Sequence, residues 1–567
     1  MASPPKVLVM GDDTRSFLAC VRSLGRRGIE VHAAPYSLDA PALQSRYICK
    51  VHVLPYYLDG GAKWLQAMQT LCIDEQFDMV LPCEERALLP LCAHQADLPV
   101  RTVLAIPDLV ALDAFFDKIN TRHLAQRCGV PVPDGYIWQA GSSVAELQAK
   151  LGLPVAAKHR QSYCLQQLYV RTHVRLLDDA AAINLWLQSQ QPEPDTVFFE
   201  QVFDGIGLGV SVLCHQGKVL QAFEHHRANE LAGSSYYRKS MPLDTERLDA
   251  VARMVAATQY TGLAMFEFKL NTGTGKWVLL EVNARPWGSL PLPVAWGVDF
   301  PYRLYQLLCN GQITPPVTYP IGKYNRNLIA DIWQMRTLVS QLKKQPIQLS
   351  SAMLRWLMGF GRLLLLHEKH DVWVADDPAP AKTEIRQFVK QRLSTPQSAG
   401  LVTGQDNLAL AKVISQKSGH ILFLCQGNIC RSPYAERKAR SIFNSENLSI
   451  TVDSAGMLPR NHRPSPDVAI EAARQCSVDL GAHLSKCADD ELIAKADVVF
   501  VFDDINVASF KQRHPDQANK LVFLSAFQLT GASHIADPDG RDIGVFCRTY
   551  ATIDACLNNL ALRLKSC

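Results

Sequence analysis

A thiol and a guanidinium share one short segment of the sequence, CQGNICRS. Cys425 and Arg431 have a C-x5-R spacing, with the apolar run Ile421–Leu424 before them and a helix-compatible stretch after them. A loop between a strand and a helix can turn backbone N–H groups inward at the helix N-terminus, where they bind anions. Such an environment favours the thiolate form of Cys425, which is the nucleophilic form. Because Arg431 offers a planar fork that matches two phosphate oxygens, the segment predicts phosphoryl-transfer chemistry.

Other residues near this segment fit the same chemistry. Gly427 lets the backbone close around an anion, and Asn428 tolerates the left-handed conformation that such loops need. Ser432 can donate to the thiolate and help it to leave a phosphocysteine. Hydrolysis also needs an acid for the leaving oxygen, and the later sequence HIADPDGRD supplies Asp537. The alternative is a buried structural cysteine, but this leaves the arginine, the asparagine and the Asp-Pro pair unexplained.

A second set of chemically active residues lies in MFEFKLNTGTGKWVLLEVNAR. Glu267 and Glu281 occupy two apolar strands joined by a glycine-containing turn. Alternation along a strand predicts that Glu281, Leu279 and Asn283 share one face. Carboxylates in apolar strands need a cation, and two carboxylates with a carboxamide suit Mg²⁺ that bridges nucleotide phosphates. Arg285 follows closely and is expected to clamp an anion or a developing charge.

The elements that must position these residues follow from the hydrophobic pattern. Apolar runs at Lys6–Met10, GIEVHAAP and FDMVLPCEE alternate with helical patterns, which predicts a parallel α/β sheet. No G-x-G-x-x-G follows the first strand, so a dinucleotide site is not expected there. After Leu153, β-prone runs with hairpin turns at HQG and TGTGK predict an antiparallel α+β region. Residues 328–374 are largely helical in pattern, 394–405 resemble a linker, and a new α/β pattern starts at His420.

Composition excludes several classes of function. A chain of 567 residues is too long for one core, and a net charge of +4 from 58 basic and 54 acidic residues argues against a nucleic-acid binder. The sixteen cysteines lack paired metal-type spacing and predict reduced thiols in the cytoplasm. KVLVM is too short for a signal-peptide core. The apolar stretch Met353–His367 is too short to span a bilayer, so we expect no membrane insertion.

Residues from about Asp108 to Pro301 resemble the ATP-grasp superfamily in its carboxylate–amine ligase branch, and the segment before them resembles that family's Rossmann-like domain. The resemblance implies that ATP phosphorylates a small carboxylate and that an amine-type acceptor attacks the acyl phosphate. It implies that Lys118 and Lys158 contact the phosphates of ATP. It also implies that Glu200 and the backbone of Val202 contact the adenine. It implies three Mg²⁺ ligands and one group that steadies the transferring phosphoryl: Glu267, Glu281, Asn283 and Arg285.

Four further positions bear on this resemblance: two have a simpler interpretation, one is an additional candidate and one departs from the family pattern. Lys118 and Lys158, each taken alone, are more simply surface lysines with buried stems. Arg227, in HHRANELAGSSYYRKS, is a candidate for gripping the substrate carboxylate. Gly207 stands near the place where the family often carries a ribose-binding glutamate, so the ribose contact must differ.

Residues Gly419 to Lys565 resemble the low-molecular-weight protein tyrosine phosphatases across their whole length. Besides the C-x5-R loop, the likeness includes VDSAGM and ADVVFVFDD. The resemblance implies that Cys425 is the nucleophile, Arg431 binds the transition state and Asp537 is the general acid. It also implies that Ser454 braces the loop and that Cys430 protects the nucleophile as a second thiol.

Two departures concern the substrate of this region. Arg460 and Asp539 stand near positions that are often aromatic in eukaryotic members, so both a phosphotyrosine protein and a phosphorylated small molecule stay open as substrates. The related arsenate reductases need two further, closely spaced cysteines. Cys476 and Cys487 are eleven positions apart, which disfavours reductase chemistry.

These patterns predict a multidomain α/β chain with a Rossmann-like domain (1–107), an α+β ATP-grasp domain (108–320), a mainly helical connector and linker (321–415), and an α/β phosphatase-like domain with a central parallel sheet (416–567). The preferred hypothesis is a cytoplasmic bifunctional enzyme. Its phosphatase either trims a phosphorylated intermediate of the ligase pathway, which is favoured, or acts on phosphoproteins and leaves the ligase regulated. The alternative is a phosphatase regulated by an ATP-sensing module that does not ligate. An interfacial scaffold ranks last. Many relatives of the first half are dimers, so a homodimer is one expectation.

Overall fold

The computed structural model describes most of the chain. The described residues are 4–55, 57, 59–165, 168, 172, 174–190, 192–231, 234–342, 350, 353, 356, 361–362, 365–393, 413, 418–527 and 534–566. They divide into two compact units: the first comprises Met1–Asp179 and Glu193–Lys390, and the second comprises Ala180–Pro192 and Gln391–Cys567. The predicted linker 394–405 and most of Met353–His367 lie outside the described residues. None of the helices formed by the described residues has both the length and the apolar character needed to cross a membrane.

The first unit opens with a five-stranded parallel sheet in the order β3-β2-β1-β4-β5. Its strands are β1 Lys6–Met10, β2 Glu30–Ala34, β3 Ile48–Val51, β4 Met79–Pro82 and β5 Val103–Leu104. Its helices are α1 Ser16–Gly25, α2 Ala62–Glu75 and α3 Glu85–Ala93. The predicted parallel α/β sheet is confirmed, since three of its strands lie where the apolar runs placed them. β1 and β4 are almost wholly buried, as strands covered on both faces must be.

A small antiparallel sheet follows, in the order β6-β9-β7-β8. Its strands are β6 Gly135–Ile137, β7 Val155–His159, β8 Arg175–Leu177 and β9 Val197–Gln201. The helices in this part of the chain are α4 Leu109–Phe116, α5 Lys118–Arg127, α6 Val144–Leu151 and α7 Ala180–Gln190, of which α7 groups with the second unit. The side chain of Asp117 accepts hydrogen bonds from the first turn of α5, so this helix begins at Lys118.

The largest sheet of the first unit has seven strands in the order β14-β13-β10-β11-β12-β15-β16. They are β10 Ile206–His215, β11 Lys218–Leu231, β12 Ser234–Met241, β13 Gly262–Leu270, β14 Trp277–Asn283, β15 Tyr324–Arg326 and β16 Glu368–His370. The helices are α8 Thr245–Ala257, α9 Pro291–Ala295, α10 Phe300–Asn310, α11 Leu328–Leu342 and α12 Ala379–Leu393. Both predicted hairpins are confirmed, β10 to β11 and β13 to β14. Two of the strands, β15 and β16, fall in the segment 321–415 that the pattern predicts as mainly helical.

One predicted alignment in this sheet is wrong. Leu279 does not share a face with Glu281, because the register of β14 against β13 shifts by one residue between them. Glu267 lies opposite Glu281, whereas Phe268 lies opposite Leu279. The bulged residue, Leu280, turns Leu279 into the hydrophobic core with Phe268 and leaves the two carboxylates on the other face.

The second unit is built on a four-stranded parallel sheet in the order β18-β17-β19-β20. The strands are β17 Ser418–Cys425, β18 Ser449–Gly456, β19 Val498–Val501 and β20 Leu521–Phe523. The helices are α13 Arg431–Ser445, α14 Asp467–Gln475, α15 Asp490–Lys495, α16 Asp504–Arg513 and α17 Ile543–Ser566. The predicted central parallel sheet is confirmed. Cys425 ends β17 and Arg431 begins α13, so both stand at the carboxyl edge of the sheet.

Candidate active sites

The thiol of Cys425 lies at the base of the loop between β17 and α13. It is buried, and its Sγ atom lies 3.0 Å from the Oγ atom of Ser432. The backbone N–H of Asn428 donates to the same sulfur at 3.3 Å. The N-terminus of α13 opens toward this loop, and a helix N-terminus stabilises negative charge. A hydroxyl, a backbone N–H and a helix N-terminus therefore all lie beside the sulfur of Cys425.

Asn428 organises the loop around the thiol. It has a φ of +51° and is fully buried. Its Nδ2 atom donates to the Oγ atoms of Ser432 at 2.9 Å and Ser454 at 3.0 Å, and its Oδ1 atom accepts from the backbone N–H of Lys486 at 2.9 Å. Its carbonyl accepts from Nε2 of His483 at 2.7 Å. The predicted left-handed asparagine is thus tied to both strands and loops around it.

Arg431 is held by two carboxylates. Its Nη1 atom lies 2.5 Å from Asp503 and 2.9 Å from the carbonyl of Ile535, and its Nη2 atom lies 2.5 Å from Asp537. Burial alone would lower the pKa of Arg431, but the nearby thiol and aspartates outweigh burial and raise the pKa above its ordinary value. Within the described residues, the buried Nε atom has no hydrogen-bond partner. The predicted acid and the predicted phosphate-binding arginine therefore meet in one ion pair.

The other predicted residues of this region take varied positions. Cys430 is a buried free thiol whose Sγ atom lies 3.9 Å from Oδ1 of Asp539, and burial with that charge raises its pKa. Arg460, which stands near an often aromatic position of the family, is exposed. The arginine that contacts the loop is instead Arg463, whose Nη2 atom donates to the carbonyl of Gly427 at 2.8 Å.

Glycine 456 was not singled out from the sequence, although it lies within SAG. A Cβ atom at Gly456 would lie 2.9 Å from the carbonyl oxygen of Gln426 and 3.0 Å from the backbone nitrogen of Asn428. Residue 456 must therefore be glycine for β18 to approach the loop so closely. Asp503 and His483 were also missed, because neither lies in a recognisable spacing from Cys425.

In the first unit, the two predicted carboxylates and the carboxamide do converge. The Nδ2 atom of Asn283 lies 3.4 Å from Oε1 of Glu267 and 3.3 Å from Oε1 of Glu281. Burial would raise the pKa of Glu281, but Lys118 and Lys158, with the hydrogen bond from Asn283, outweigh burial and lower it. Two carboxylate oxygens thus face one point, where the amide hydrogens of Asn283 now lie.

The predicted ATP-contacting residues form an ion-paired group beside these carboxylates. Lys158 is buried and pairs with Glu200, which also accepts from Nη1 of Arg122 at 3.1 Å. The Nζ atom of Lys118 donates to Oγ of Ser162 at 2.8 Å. Because Lys158 is buried and paired, the simpler surface interpretation does not hold for it. Arg122 and Ser162 were not predicted.

Two arginines border the carboxylates. Arg285 donates from Nη2 to Oδ1 of Asn283 at 3.2 Å and to Oε1 of Glu85 at 2.8 Å. Arg227 pairs with Glu267, and in the strand register it lies opposite Gly207. Both predicted arginines therefore stand at the carboxylate cluster, and Glu85 is a further partner that the sequence did not reveal.

A cavity of about 240 Å³ connects most of these groups. Charged and polar walls come from Lys118, Glu200, Glu281 and Asn283, and apolar walls come from the helix and strand residues Leu112, Phe115, Phe116, Val132 and Val282. A cavity with an apolar body and few convergent polar groups suits a nucleotide. Val202 is 36% exposed and lies outside the set of described residues that line this cavity.

The second unit has clear relatives among known proteins. Residues 420–567 match the family model for "Low molecular weight phosphotyrosine protein phosphatase". The chain is 29% identical over 145 residues to the protein-arginine-phosphatase of Bacillus subtilis, covering 26% of this chain and 96% of that protein. It is 28% identical over 126 residues to the probable low molecular weight protein-tyrosine-phosphatase EpsP of Ralstonia nicotianae, covering 22% of this chain and 82% of that protein.

The first unit is similar to a solved ligase. The L-amino acid ligase of Bacillus licheniformis matches with a TM-score of 0.43 and 20% identity, covering 56% of this chain and 78% of that chain. The protein is an enzyme, and its residues 420–567 form a domain that matches the low molecular weight phosphotyrosine protein phosphatase family model.

Proposed function

We propose that the second unit hydrolyses phosphomonoesters through a phosphocysteine intermediate. The observation that carries this proposal is the junction of β17 and α13, where the sulfur of Cys425 shares a hydrogen bond with the hydroxyl of Ser432 and accepts one from the backbone N–H of Asn428, in the loop that ends at Arg431. A thiolate and an arginine at a helix N-terminus attack and bind a phosphate. Asp537, which pairs with the same guanidinium, would serve as the acid.

The reaction then has two balanced steps. The Cys425 thiolate forms a bond to phosphorus, the bond to the leaving oxygen breaks, and protonated Asp537 gives its proton to that oxygen. Water next attacks the phosphocysteine while the Asp537 carboxylate takes a proton from it, and the sulfur–phosphorus bond breaks to release inorganic phosphate. Ser432 donates to the departing thiolate, and Arg431 binds the equatorial oxygens.

Hydrolysis of 4-nitrophenyl phosphate tests this proposal. Cys425→Ser is expected to abolish turnover, whereas the matched control Cys487→Ser, at a half-buried thiol of the same unit, is expected to retain it. Turnover that survives Cys425→Ser would refute the proposal. Because the relatives include arginine and tyrosine phosphatases, the natural substrate is sought among phosphotyrosine proteins, phosphoarginine proteins and phosphorylated small molecules.

For the first unit we propose a Mg²⁺-ATP-dependent ligase that joins a small carboxylate to an amine-type acceptor. The convergence of Glu267 and Glu281 on Nδ2 of Asn283 carries this proposal, because a cation stabilises two half-buried carboxylates that meet at one point. Two carboxylates and a carboxamide oxygen fit Mg²⁺, which takes hard oxygen ligands. These three residues would hold Mg²⁺, which would supply charge neutralisation for the phosphates of ATP.

The remaining residues of this unit act on the anions themselves. Lys158 and Lys118 would bind phosphate oxygens, since both lie close enough to Glu281 to lower its pKa. Arg285 would steady the transferring phosphoryl group, and Arg227 would bind the substrate carboxylate. The apolar walls of the cavity would enclose the adenine, with Glu200 in the wall, whereas the backbone contact proposed for Val202 lies beyond the described lining residues.

Release of ADP across a panel of amino acids and small carboxylates tests the ligase. The assay uses Cys425→Ser to silence the second unit, and turnover is expected to need both a carboxylate and an acceptor. Glu281→Gln should abolish it, whereas Glu246→Gln, an exposed carboxylate on α8, should not. ATP binding without acceptor-dependent turnover would refute ligation and favour the ATP-sensing alternative.

We also propose how the two activities are combined. The proposed domains are residues 1–107, 108–320, 321–415 and 416–567. The phosphatase domain is proposed to act on a phosphorylated product or intermediate of the ligase reaction. The described cysteines are all free thiols, which supports action in a reducing cytoplasm. Loss of final product in Cys425→Ser, with ADP release intact, is the expected result. Unchanged product would separate the two activities.

A further inference from the structure

The edge of the five-stranded sheet carries metal-binding side chains that neither proposed activity uses. His32 lies in β2, His52 directly follows β3, and Glu75 is the last residue of α2. One potential ligand atom from each lies within 4.8 Å of the other two. His32 is 2% exposed, and the side chains of the other two are half-buried. Three separate elements of the fold thus bring two imidazoles and a carboxylate together.

The spacing of these atoms is close to that of a coordination shell. The Nδ1 atom of His32 lies 2.9 Å from Nε2 of His52 and 3.8 Å from Oε2 of Glu75, and Nε2 of His52 lies 4.0 Å from Oε1 of Glu75. Bonds of about 2.0–2.1 Å in a tetrahedral site hold neighbouring ligand atoms about 3.3 Å apart. Shifts of a few tenths of an ångström in each side chain would produce that spacing.

A second carboxylate orients the buried imidazole. Oε1 of Glu30 lies 2.9 Å from Nε2 of His32, and a carboxylate accepts, so Nε2 donates and Nδ1 of the neutral ring presents its lone pair to the cluster. Metal-binding histidines are held by carboxylates in this manner. The edge of Phe77 packs against both rings, with ring centroids 5.3 Å and 6.1 Å apart, and fixes their planes.

Two lysines compete for the same carboxylate. Lys50 pairs with Glu75, and Nζ of Lys6 lies 3.6 Å from Oε2 of Glu75. The side chain of Lys50 is 57% exposed, so its ammonium can turn into the solvent on its flexible stem. The alternative is a purely structural role, in which two hydrogen-bonded imidazoles lie beside a surface ion pair. It explains the contacts but gives no reason for a carboxylate to orient the lone pair of His32 toward two further ligands.

We infer that this cluster binds a divalent first-row transition metal of the zinc class, through Nδ1 of His32, Nε2 of His52 and the carboxylate of Glu75. Two imidazoles and one carboxylate form a borderline ligand set of the kind that zinc takes. The metal replaces the hydrogen shared by the two rings, and His52 takes the tautomer protonated at Nδ1. The bound ion ties β2, β3 and α2 together at the edge of the sheet, away from the carboxylate cluster of the ligase site.

Zinc titration of the full chain tests this site. The chain is first stripped with a chelator and kept reduced with a phosphine, and Co²⁺ serves as the spectroscopic probe. Wild type is expected to bind one more equivalent of Zn²⁺ than His52→Gln, and Glu30→Gln should weaken that equivalent by about 10–100-fold. Because it removes a competing ammonium, Lys50→Ala should tighten binding. His94→Gln, a histidine 3.2 Å from the lone carboxylate of Asp97, should change nothing.

The Lys50→Ala variant keeps the test decisive if a ligand variant unfolds, since unfolding cannot create a tighter site. An equal zinc count in wild type and folded His52→Gln would overturn the inference. So would a Lys50→Ala chain that binds Zn²⁺ no more tightly than wild type, or a Co²⁺ spectrum that is the same with and without His52. A lost equivalent in His52→Gln together with tighter binding in Lys50→Ala would establish the site.

Discussion

Asn428 offers the sharpest test of how the loop between β17 and α13 is held. Asn428→Ala removes three side-chain hydrogen bonds, to Ser432, Ser454 and the backbone of Lys486, from a fully buried position. At about 1 kcal/mol net for each bond, their loss destabilises the second unit by about 3 kcal/mol. The φ of +51° adds about 1 kcal/mol, because alanine is disfavoured in the left-handed region.

The same unit contains a matched control. Asn447 has a φ of +56°, but its side chain is exposed and makes no hydrogen bond within the part of the chain that the structure describes. Asn447→Ala should therefore cost only the conformational contribution of about 1 kcal/mol. Asn428→Gly relieves the backbone and still loses the three bonds, so it should destabilise by about 3 kcal/mol, whereas Asn447→Gly should be close to neutral.

Hydrogen exchange of the β17 and β18 amides in the full chain measures the opening free energy of this unit without requiring one transition for the whole protein. Hydrolysis of 4-nitrophenyl phosphate should fall by about 100-fold in Asn428→Ala and Asn428→Gly, because the thiol loses its fixed surroundings. Equal destabilisation by Asn428→Ala and Asn447→Ala, or full activity in Asn428→Gly, would show that the side-chain bonds do not hold the loop.

Three further results are expected. Asp537→Asn should slow phenyl phosphate far more than 4-nitrophenyl phosphate, whose leaving group needs little acid assistance, and an equal slowing of about 10²–10⁴-fold in both would assign Asp537 another role. Gly456→Ala would place a Cβ atom against the carbonyl of Gln426 and should destabilise the second unit by about 1–3 kcal/mol. This variant should lose phosphatase activity but keep ADP release. Normal phosphatase kinetics would contradict the prediction. Burial lowers the pKa of His225 to about 3. Between pH 6.5 and 3, His225 therefore binds a proton in the unfolded chain but not in the folded chain. The free energy of unfolding of the first unit should fall by about 2 kcal/mol when the pH is lowered to 5. In His225→Gln this part of the pH dependence of unfolding should vanish, and an unchanged pH profile would refute the assignment.

The sequence predicted those features that depend on neighbours along the chain. The run Ile421–Leu424 is apolar enough to be a buried strand, and the C-x5-R spacing placed Cys425 and Arg431 on opposite sides of a strand–helix junction. The alternation of apolar and acidic residues likewise placed Glu267 and Glu281 on facing strands. Both depend on short-range periodicity, which a single sequence preserves.

What the sequence could not supply depends on contacts across the fold. The bulge at Leu280 reverses one face of β14, and neither composition nor alternation signals a residue that leaves the register. Asp503 is 72 positions from Arg431, and Glu85 is 200 positions from Arg285, so only the folded chain brings these charges together. Arg463, rather than Arg460, contacts the loop between β17 and α13. The two arginines are three positions apart, and a comparison of motifs does not show which of them makes this contact.

The two sites share an electrostatic arrangement that has a consequence for their chemistry. Arg431 pairs with Asp537, Lys158 pairs with Glu200, and Arg227 pairs with Glu267, so each buried cation already has an internal carboxylate. Buried cations need such partners, and an incoming phosphate must therefore displace a carboxylate rather than fill an open charge. For Arg431 the displaced group is the proposed acid itself. Protonation of Asp537 would remove one of the two carboxylate charges on Arg431 while Asp503 stays in place, so the proton that the proposed leaving group requires would also free the Nη2 atom of the guanidinium.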